Sequence, residues 1–256
     1  MEFFESLEPS IILLLFFIAL FAGYIDAIAG GGGVIQVPAL LLCGVSPVAA
    51  LATNKVVSMV GTSFVVLKYA LNRLIRWRYV LLAGIPCFLG SIIGSKIAIV
   101  TPEWLLEVLI IASILIALIF SRIVKAEEPG STESRNQPAF LAWLTTIGVY
   151  DGVAGPGTGS FMALAVNRSL KYNLLTATAI AKPINLMTNI AATLVFVFAD
   201  KVLWEAAVPM LIANALGGWI GGHMAMSKGS MFIKRLLSVV LATMLTANIG
   251  KLLLNF

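Results

Sequence analysis

The sequence predicts an all-α integral membrane protein of about eight transmembrane helices, arranged as two homologous four-helix halves that each contain a glycine-broken or re-entrant segment. Three observations carry this expectation: a composition too apolar for a soluble domain, a succession of uncharged runs of span length, and an internal repeat that covers most of the chain. Of 256 residues, 60% are hydrophobic and 11% charged, with a mean hydropathy of +1.01, whereas soluble chains carry about 25% charge. At about 20 apolar residues per span, little chain remains for a soluble domain. The 17 Lys and Arg exceed the 12 acids, and in a membrane protein such an excess anchors cytoplasmic loops rather than binding nucleic acid. Cys43 and Cys87 lie in apolar runs without CxxC spacing, so they read as buried thiols, with neither disulfide nor metal. No cofactor is predicted.

In chain order, the uncharged runs are 9–25, 27–54, 79–95, 108–121, 136–150, 152–167, 183–199, 206–222 and 236–250. The chain opens with Glu2, Glu5 and Glu8 instead of the basic segment of a signal peptide, so the first run is expected to be retained as a helix. One stretch, 122–138, is dense in charge, Pro, Ser and Gly. It reads as a polar linker between a first transmembrane repeat, 1–121, and a second, 139–256.

The repeat is visible residue by residue. Gly23, Asp26, Ala29, Gly30 and Gly32 recur 125 positions later as Gly148, Asp151, Ala154, Gly155 and Gly157. Ala50, Ala52, Lys55, Gly90, Ile93, Gly94 and Ala98 recur 127 positions later as Ala177, Ala179, Lys182, Gly217, Ile220, Gly221 and Ala225. A two-residue change in one loop accounts for the shift. Each half therefore reads as an apolar helix ending near an Asp, a glycine-rich break, a short apolar segment, a long helix carrying a Lys, and two further helices. The pairs Gly90/Gly94 and Gly217/Gly221 have the small-xxx-small spacing that lets membrane helices approach closely, and they read as packing seams.

The breaks are Gly30-Gly31-Gly32-Gly33 and Gly155-Pro156-Gly157-Thr158-Gly159. Each Gly costs about 1 kcal/mol against Ala in a helix, so four in succession predict an interruption. Unsatisfied backbone in lipid costs several kcal/mol per group, and irregular backbone at that depth survives only where protein buries it or it lines a watery cavity. The alternative is a surface loop in which the glycines merely turn the chain. Against it, the segment from 34 to 43 would span about 15 Å as helix, half a bilayer. Broken helices at matching positions of two halves point to a transporter's binding site.

Lys and Arg placement sets orientation. Lys68, Arg73, Arg76 and Arg78, together with Arg122, Lys125 and Arg135, are expected on the cytoplasmic side. Four crossings per half would then leave Arg168 and Lys171 outside. Trp77, Trp104 and Trp204 suit an interfacial belt, and Glu103 and Glu107 a solvated helix start that complements the helix dipole. His223, which falls opposite Lys96 of the first half, reads as an interfacial group.

Four charges remain at duplicated intramembrane positions: Asp26, Asp151, Lys55 and Lys182. Each costs about 2.5–3.5 kcal/mol on the insertion scale, so their duplication needs a reason. One reading is structural, a salt bridge from Asp to Lys within each half that pins the broken segment to the long helix. The other is functional: Lys55 and Lys182, with backbone N–H groups at Gly31, Gly32, Gly157 and Thr158, form a site for an anion through charge and helix dipole together. Asn54 and Asn185 supply neutral hydrogen bonds, as Ser58, Thr62 and Asn189 could by their helical spacing, while Asp26 and Asp151 take up a coupling proton or sodium ion or serve as structural charges. The expected partners are thus a small anion, a coupling cation and the lipid bilayer.

The segment Gly23-Tyr24-Ile25-Asp26-Ala27-Ile28-Ala29-Gly30-Gly31-Gly32-Gly33, with Pro38-Ala39-Leu40 and Ala52-Thr53-Asn54-Lys55, resembles the sulfite exporter TauE/SafE family of bacterial permeases. So do residues 148–160 and Ala181-Lys182 in the second half. The resemblance extends over nearly the whole chain. It implies a multi-pass permease of the cell (inner) membrane, with two related halves, whose relatives move small sulfur-containing anions such as sulfite or sulfonates. Pro156 and Thr158 stand where the first half has Gly31 and Gly33, so the two breaks cannot have identical geometry.

The reading is a secondary transporter of small anions working by alternating access, and not an enzyme. No Walker A sequence is present. Two intramembrane Asp residues, one in a Tyr-Asp pair at 150–151, raise the alternative of an aspartyl protease whose carboxylates share a proton. The Gly-x-Gly-Asp order of such proteases is absent, however, and glycines follow each Asp instead. A channel or receptor without coupled transport is the other alternative.

Overall fold

The computed structural model describes residues 8–123 and 136–227, and among these every regular element is helical. The helices are α1 (Pro9–Ala29), α2 (Gly32–Leu42), α3 (Pro47–Leu71), α4 (Trp77–Val100), α5 (Glu103–Ile123), α6 (Gln137–Val153), α7 (Thr158–Leu170), α8 (Leu174–Phe198) and α9 (residues 204–227). Starts follow local chemistry. Pro9 and Pro47 occupy first helical positions, where the missing N–H is no loss. Asn136 and Asn173 cap α6 and α8 by accepting from Ala139 N at 2.9 Å and Thr176 N at 2.8 Å.

Among the described residues, α1, α3, α4 and α8 are long and apolar enough to cross a membrane. Their outer faces carry stripes of large apolar side chains: Leu13, Phe17 and Phe21 on α1, Ile85, Leu89, Ile93 and Ile97 on α4, and Val208, Ile212, Leu216 and Ile220 on α9 are all exposed. The spacing of four keeps each stripe on one face, and so much exposed apolar surface is matched to lipid rather than water. Polar residues lie inside: Thr53, Asn54, Lys55, Asp151, Lys182, Asn185 and Asn189 are buried.

The uncharged run 27–54 resolves into α2, a turn, and the start of α3. Contrary to the expectation of a four-glycine interruption, the first break is confined to Gly30 and Gly31, and Gly32 and Gly33 open α2. A helix tolerates glycine best at its first turn, where Gly32 also donates its N–H to the Asp26 carboxylate at 3.2 Å. The run 236–250 and most of the linker, 124–135, lie outside the described residues.

Both short helices turn back along the helix before them. At 11 and 13 residues, α2 and α7 measure about 16 and 20 Å, short of the ~30 Å hydrocarbon core. Gly32 sits against Asp26 and Ala22 of α1, and Ile35 packs with Ala22 and Ile25. In the second hairpin, Asn136 N donates to Ser169 O at 2.9 Å, bringing the start of α6 to the end of α7, and Tyr150 packs on Phe161.

The small-residue seams join helices from the two sides of the polar stretch 122–138. Gly90 and Gly94 of α4 lie on Thr145, Val149 and Gly152 of α6, while Gly217 and Gly221 of α9 lie on Leu20, Tyr24 and Ala27 of α1. α3 and α8, each 25 residues, pack side by side between the two hairpins. Gly94 meets the Val149 carbonyl and the Gly152 Cα with no room for a Cβ. Gly94→Leu should therefore force α4 off α6 at a cost of about 1–3 kcal/mol, read as a lower midpoint of thermal unfolding in detergent. A wild-type melting curve would contradict this close approach.

Candidate functional site

The two hairpin tips meet backbone to backbone. Ser160, in the first turn of α7, donates its N–H to Gly30 O at 3.2 Å and its hydroxyl to Ala29 O at 2.6 Å. Gly30 takes a left-handed φ of +77° and abuts Gly159 so closely that neither position admits a Cβ. The carbonyls of Ala29 and Gly30, where α1 ends, are thus satisfied by the opposite hairpin, so the broken backbone is paired by protein. The starts of α2 and α7, the positive ends of their helix dipoles, come together at this junction.

The charged residues gather beside it. Lys55 Nζ lies 2.6 Å from Asp151 Oδ1, both side chains 2% exposed, and Lys182 Nζ lies 2.6 Å from Asp26 Oδ2, with Asp26 16% exposed. The expected salt bridges within each half are therefore corrected: each lysine pairs with the aspartate of the other hairpin. The reason is tertiary. The seams set α6 against α4 and α1 against α9, and the abutting tips then present each carboxylate to the long helix from the other end of the chain.

A polar cavity of about 20 Å³ lies between the tips and the long helices. Its walls include Asp26, Gly30, Gly33, Asn54, Lys55 and Ser58 from the first part of the chain, and Asp151, Gly155, Gly157, Thr158, Gly159, Asn185 and Asn189 from the second. Of the predicted site residues, Lys55, Asn54, Asn185, Gly157, Thr158, Asp26 and Asp151 line it, whereas Lys182, Gly31 and Gly32 do not stand in its wall. Lys182 reaches the site through its ion pair with Asp26, and Gly32 through the N–H it gives that same carboxylate. Asn189 also accepts from Lys55 Nζ at 3.4 Å.

The two breaks differ as their sequences require. In the first, Asp26 accepts from both Lys182 and the Gly32 N–H. In the second, Pro156 and the left-handed Gly157 (φ +84°) extend the turn before α7 begins at Thr158, and Asp151 Oδ2 is left buried without a hydrogen-bond partner. Thr158 donates its hydroxyl to Gly155 O at 2.7 Å and Tyr150 to Pro156 O at 2.5 Å, bracing the longer turn.

Ser160 carries no role in the sequence reading, and Tyr150 enters it only as the neighbour of Asp151 in the protease alternative. A lone Ser after a glycine run and a Tyr beside an Asp carry no spacing signal of their own, and their roles depend on where the tips meet. The two carboxylates each hold a lysine instead of sharing a proton, which is not the arrangement of an aspartyl dyad. Among the described residues, no three His, Cys, Asp or Glu come together as metal ligands.

The sequence model of the family described as Sulfite exporter TauE/SafE matches residues 15–247. The chain belongs to the TauE/SafE family. It is 36% identical over 249 residues to the "Probable membrane transporter protein YfcA" of Escherichia coli (strain K12), covering 95% of this chain and 93% of that one. It is 35% identical to the "Probable membrane transporter protein ORF9" of Sinorhizobium sp., over 92% of this chain and 91% of the relative. A "Probable membrane transporter protein" of Haemophilus influenzae (strain ATCC 51907 / DSM 11121 / KW20 / Rd) is likewise 35% identical, over 93% of both chains. No solved structure matches the chain. TauE/SafE membership makes this a membrane transporter family protein, and the crossed ion pairs lie within the matched region.

Breaking a buried pair by removing one partner costs about 3–5 kcal/mol, whereas replacing both with apolar residues is often neutral. Lys55→Met should therefore destabilise the protein markedly, and Lys55→Met/Asp151→Leu should recover most of the loss in detergent melts. Lys55→Met/Asp26→Leu should not. Recovery by the second double variant and not the first would indicate pairing within each hairpin's own half.

Proposed function

We propose that this chain is a secondary transporter of small anions, of the kind represented by sulfite, sulfonates and other organosulfur anions, working by alternating access between two repeats in the inner membrane. The repeats are 1–121 and 139–256, joined by the polar linker 122–138, with α1 to α4 answering α6 to α9. The observation that carries this reading is the set of two crossed ion pairs beside two abutting helix breaks: the Lys55 ammonium and two helix N-termini face one polar cavity, and Lys182 stands behind Asp26 in its wall, an arrangement suited to an anion once the carboxylates withdraw. Asn54, Asn185 and Thr158 supply neutral hydrogen bonds in its wall.

A cavity of about 20 Å³ has room for roughly one water and none for a sulfur oxyanion. Under this reading it is the closed state between two openings, with the lysines held by carboxylates until substrate arrives. Opening to either side separates the hairpin tips and frees the ammonium groups. The family's name and the names of the relatives support transport as such, and the choice of sulfur anions rests on the family resemblance.

The rival role for the ion pairs is purely structural, and lysine replacement separates the two. A hydrogen bond to a charged group contributes about 1.5–3 kcal/mol, and each 1.4 kcal/mol is about tenfold in affinity. Lys55→Ala and Lys182→Ala should each lower uptake of labelled sulfite and sulfonates into proteoliposomes by about tenfold or more. Unchanged transport in both variants would leave the pairs a structural role only.

A further inference from the structure

We infer that the two aspartates are not equivalent and that Asp151 alone carries a coupling proton, its protonation releasing Lys55 to hold the anion. This rests on the transport reading above. The site charges are Lys55, Lys182, Asp26 and Asp151, two positive and two negative, so the closed site is neutral and has no net attraction for an anion. A monovalent anion entering this low-dielectric space leaves one uncompensated charge unless a cation binds with it.

Geometry selects both the cation and its place. A sodium ion needs several oxygen ligands, which in broken-helix transporters come from unwound backbone carbonyls. Here four carbonyls of the breaks already accept hydrogen bonds, Ala29 O and Gly30 O from Ser160, Gly155 O from Thr158, and Pro156 O from Tyr150, so a sodium ion would have to compete with the contacts that hold the tips. A proton needs one oxygen. Asp151 Oδ2 is that oxygen, buried and without a partner on a residue that lines the cavity.

Asp26 lacks such a vacancy, because Lys182 takes Oδ2 and the Gly32 N–H takes Oδ1. The charged and titratable groups around Asp151 are Lys55 on α3, Cys87 on α4 with its thiol donated to Leu144 O and the adjacent Tyr150, with Asp26 of α1 in the same cavity wall and Lys182 of α8 engaged by Asp26. α7 adds only the neutral Thr158 and Gly159 to the cavity wall. In the step itself, a proton from solvent bonds to Asp151 Oδ2, the Lys55–Asp151 ion pair breaks, and the Lys55 ammonium takes the anion as its new partner. Release on the other side returns the proton and re-forms the pair.

The test uses the full chain in proteoliposomes with two probes, labelled sulfite and labelled methanesulfonate. The second is a permanent anion that brings no proton of its own. One-to-one coupling raises wild-type accumulation by about tenfold per unit of inwardly directed pH gradient, the equivalent of 1.36 kcal/mol. Asp151→Asn should lose this response while still exchanging internal for external anion, Asp151→Glu should regain it, and Asp26→Asn should keep it at a reduced rate. A gradient response that persists in Asp151→Asn, or that disappears in Asp26→Asn while exchange continues, overturns the assignment and leaves the transport reading intact. Wild-type protein that moves neither probe overturns the transport reading, and this inference with it.

Discussion

Charge buried among packed apolar helices must be answered by opposite charge, and here the answer always comes from across the polar stretch 122–138. Lys55 on α3 is held by Asp151 on α6, and Lys182 on α8 by Asp26 on α1. An unpaired ion in this setting costs about 2.5–3.5 kcal/mol even on lenient scales. Neither set of helices therefore contains a satisfied interior by itself. The seams repeat this logic in steric form, since Gly90 and Gly94 of α4 lie against α6, and Gly217 and Gly221 of α9 against α1, with no room for a Cβ at Gly94, Gly217 or Gly221. Ion pairs and seams together oblige the hairpins and long helices to assemble as one interlocked unit.

The same exchange settles the backbone. Interrupting a helix inside lipid exposes carbonyls that no water can reach, and the carbonyls of Ala29 and Gly30 are paired by Ser160 of the opposite hairpin. Glycine at positions 30 and 159 is what lets the two chains come near enough to do so. The opening turns of α2 and α7 then sit together at the charged cluster, so the element that satisfies the backbone also builds the electrostatic environment of the cavity. The two tips are not copies: Pro156 and Gly157 lengthen the second turn, and the N–H that caps Asp26 has no counterpart at Asp151.

Much of this was legible in the sequence because the signals were local or periodic. Uncharged runs, the recurrence of Asp26 and Lys55 as Asp151 and Lys182, and the glycine clusters located the helices, the breaks and the residues of interest. What was not legible was which charge faced which. Pairing depends on the direction in which each seam turns its helix, and Gly90 with Gly94 announces a close contact without naming the partner. For the same reason Asn189, close in sequence to Lys182, turns out to serve Lys55. Gly32 and Gly33 were misjudged because propensity counts glycines without regard to position, and at a first turn the side chain of Asp26 offsets much of their cost.

Placing the polar contacts between the two sides of the chain has a consequence for motion. The Gly30–Ser160 contact joins hairpin to hairpin, and each ion pair joins one hairpin to the long helix from across the polar stretch 122–138. Displacement of one hairpin relative to the other and to the long helix it pairs with stretches these contacts, whereas each hairpin's internal contacts, such as Tyr150 on Phe161, travel with it. Under the proposed reading, opening without replacement partners would leave both ion pairs broken, and an anion that takes up a lysine as its carboxylate withdraws lowers that cost, so the empty site resists opening more strongly than the filled one. Under the proposed reading, this difference is what distinguishes a carrier from a pore: the pairs that close the site yield in exchange for substrate.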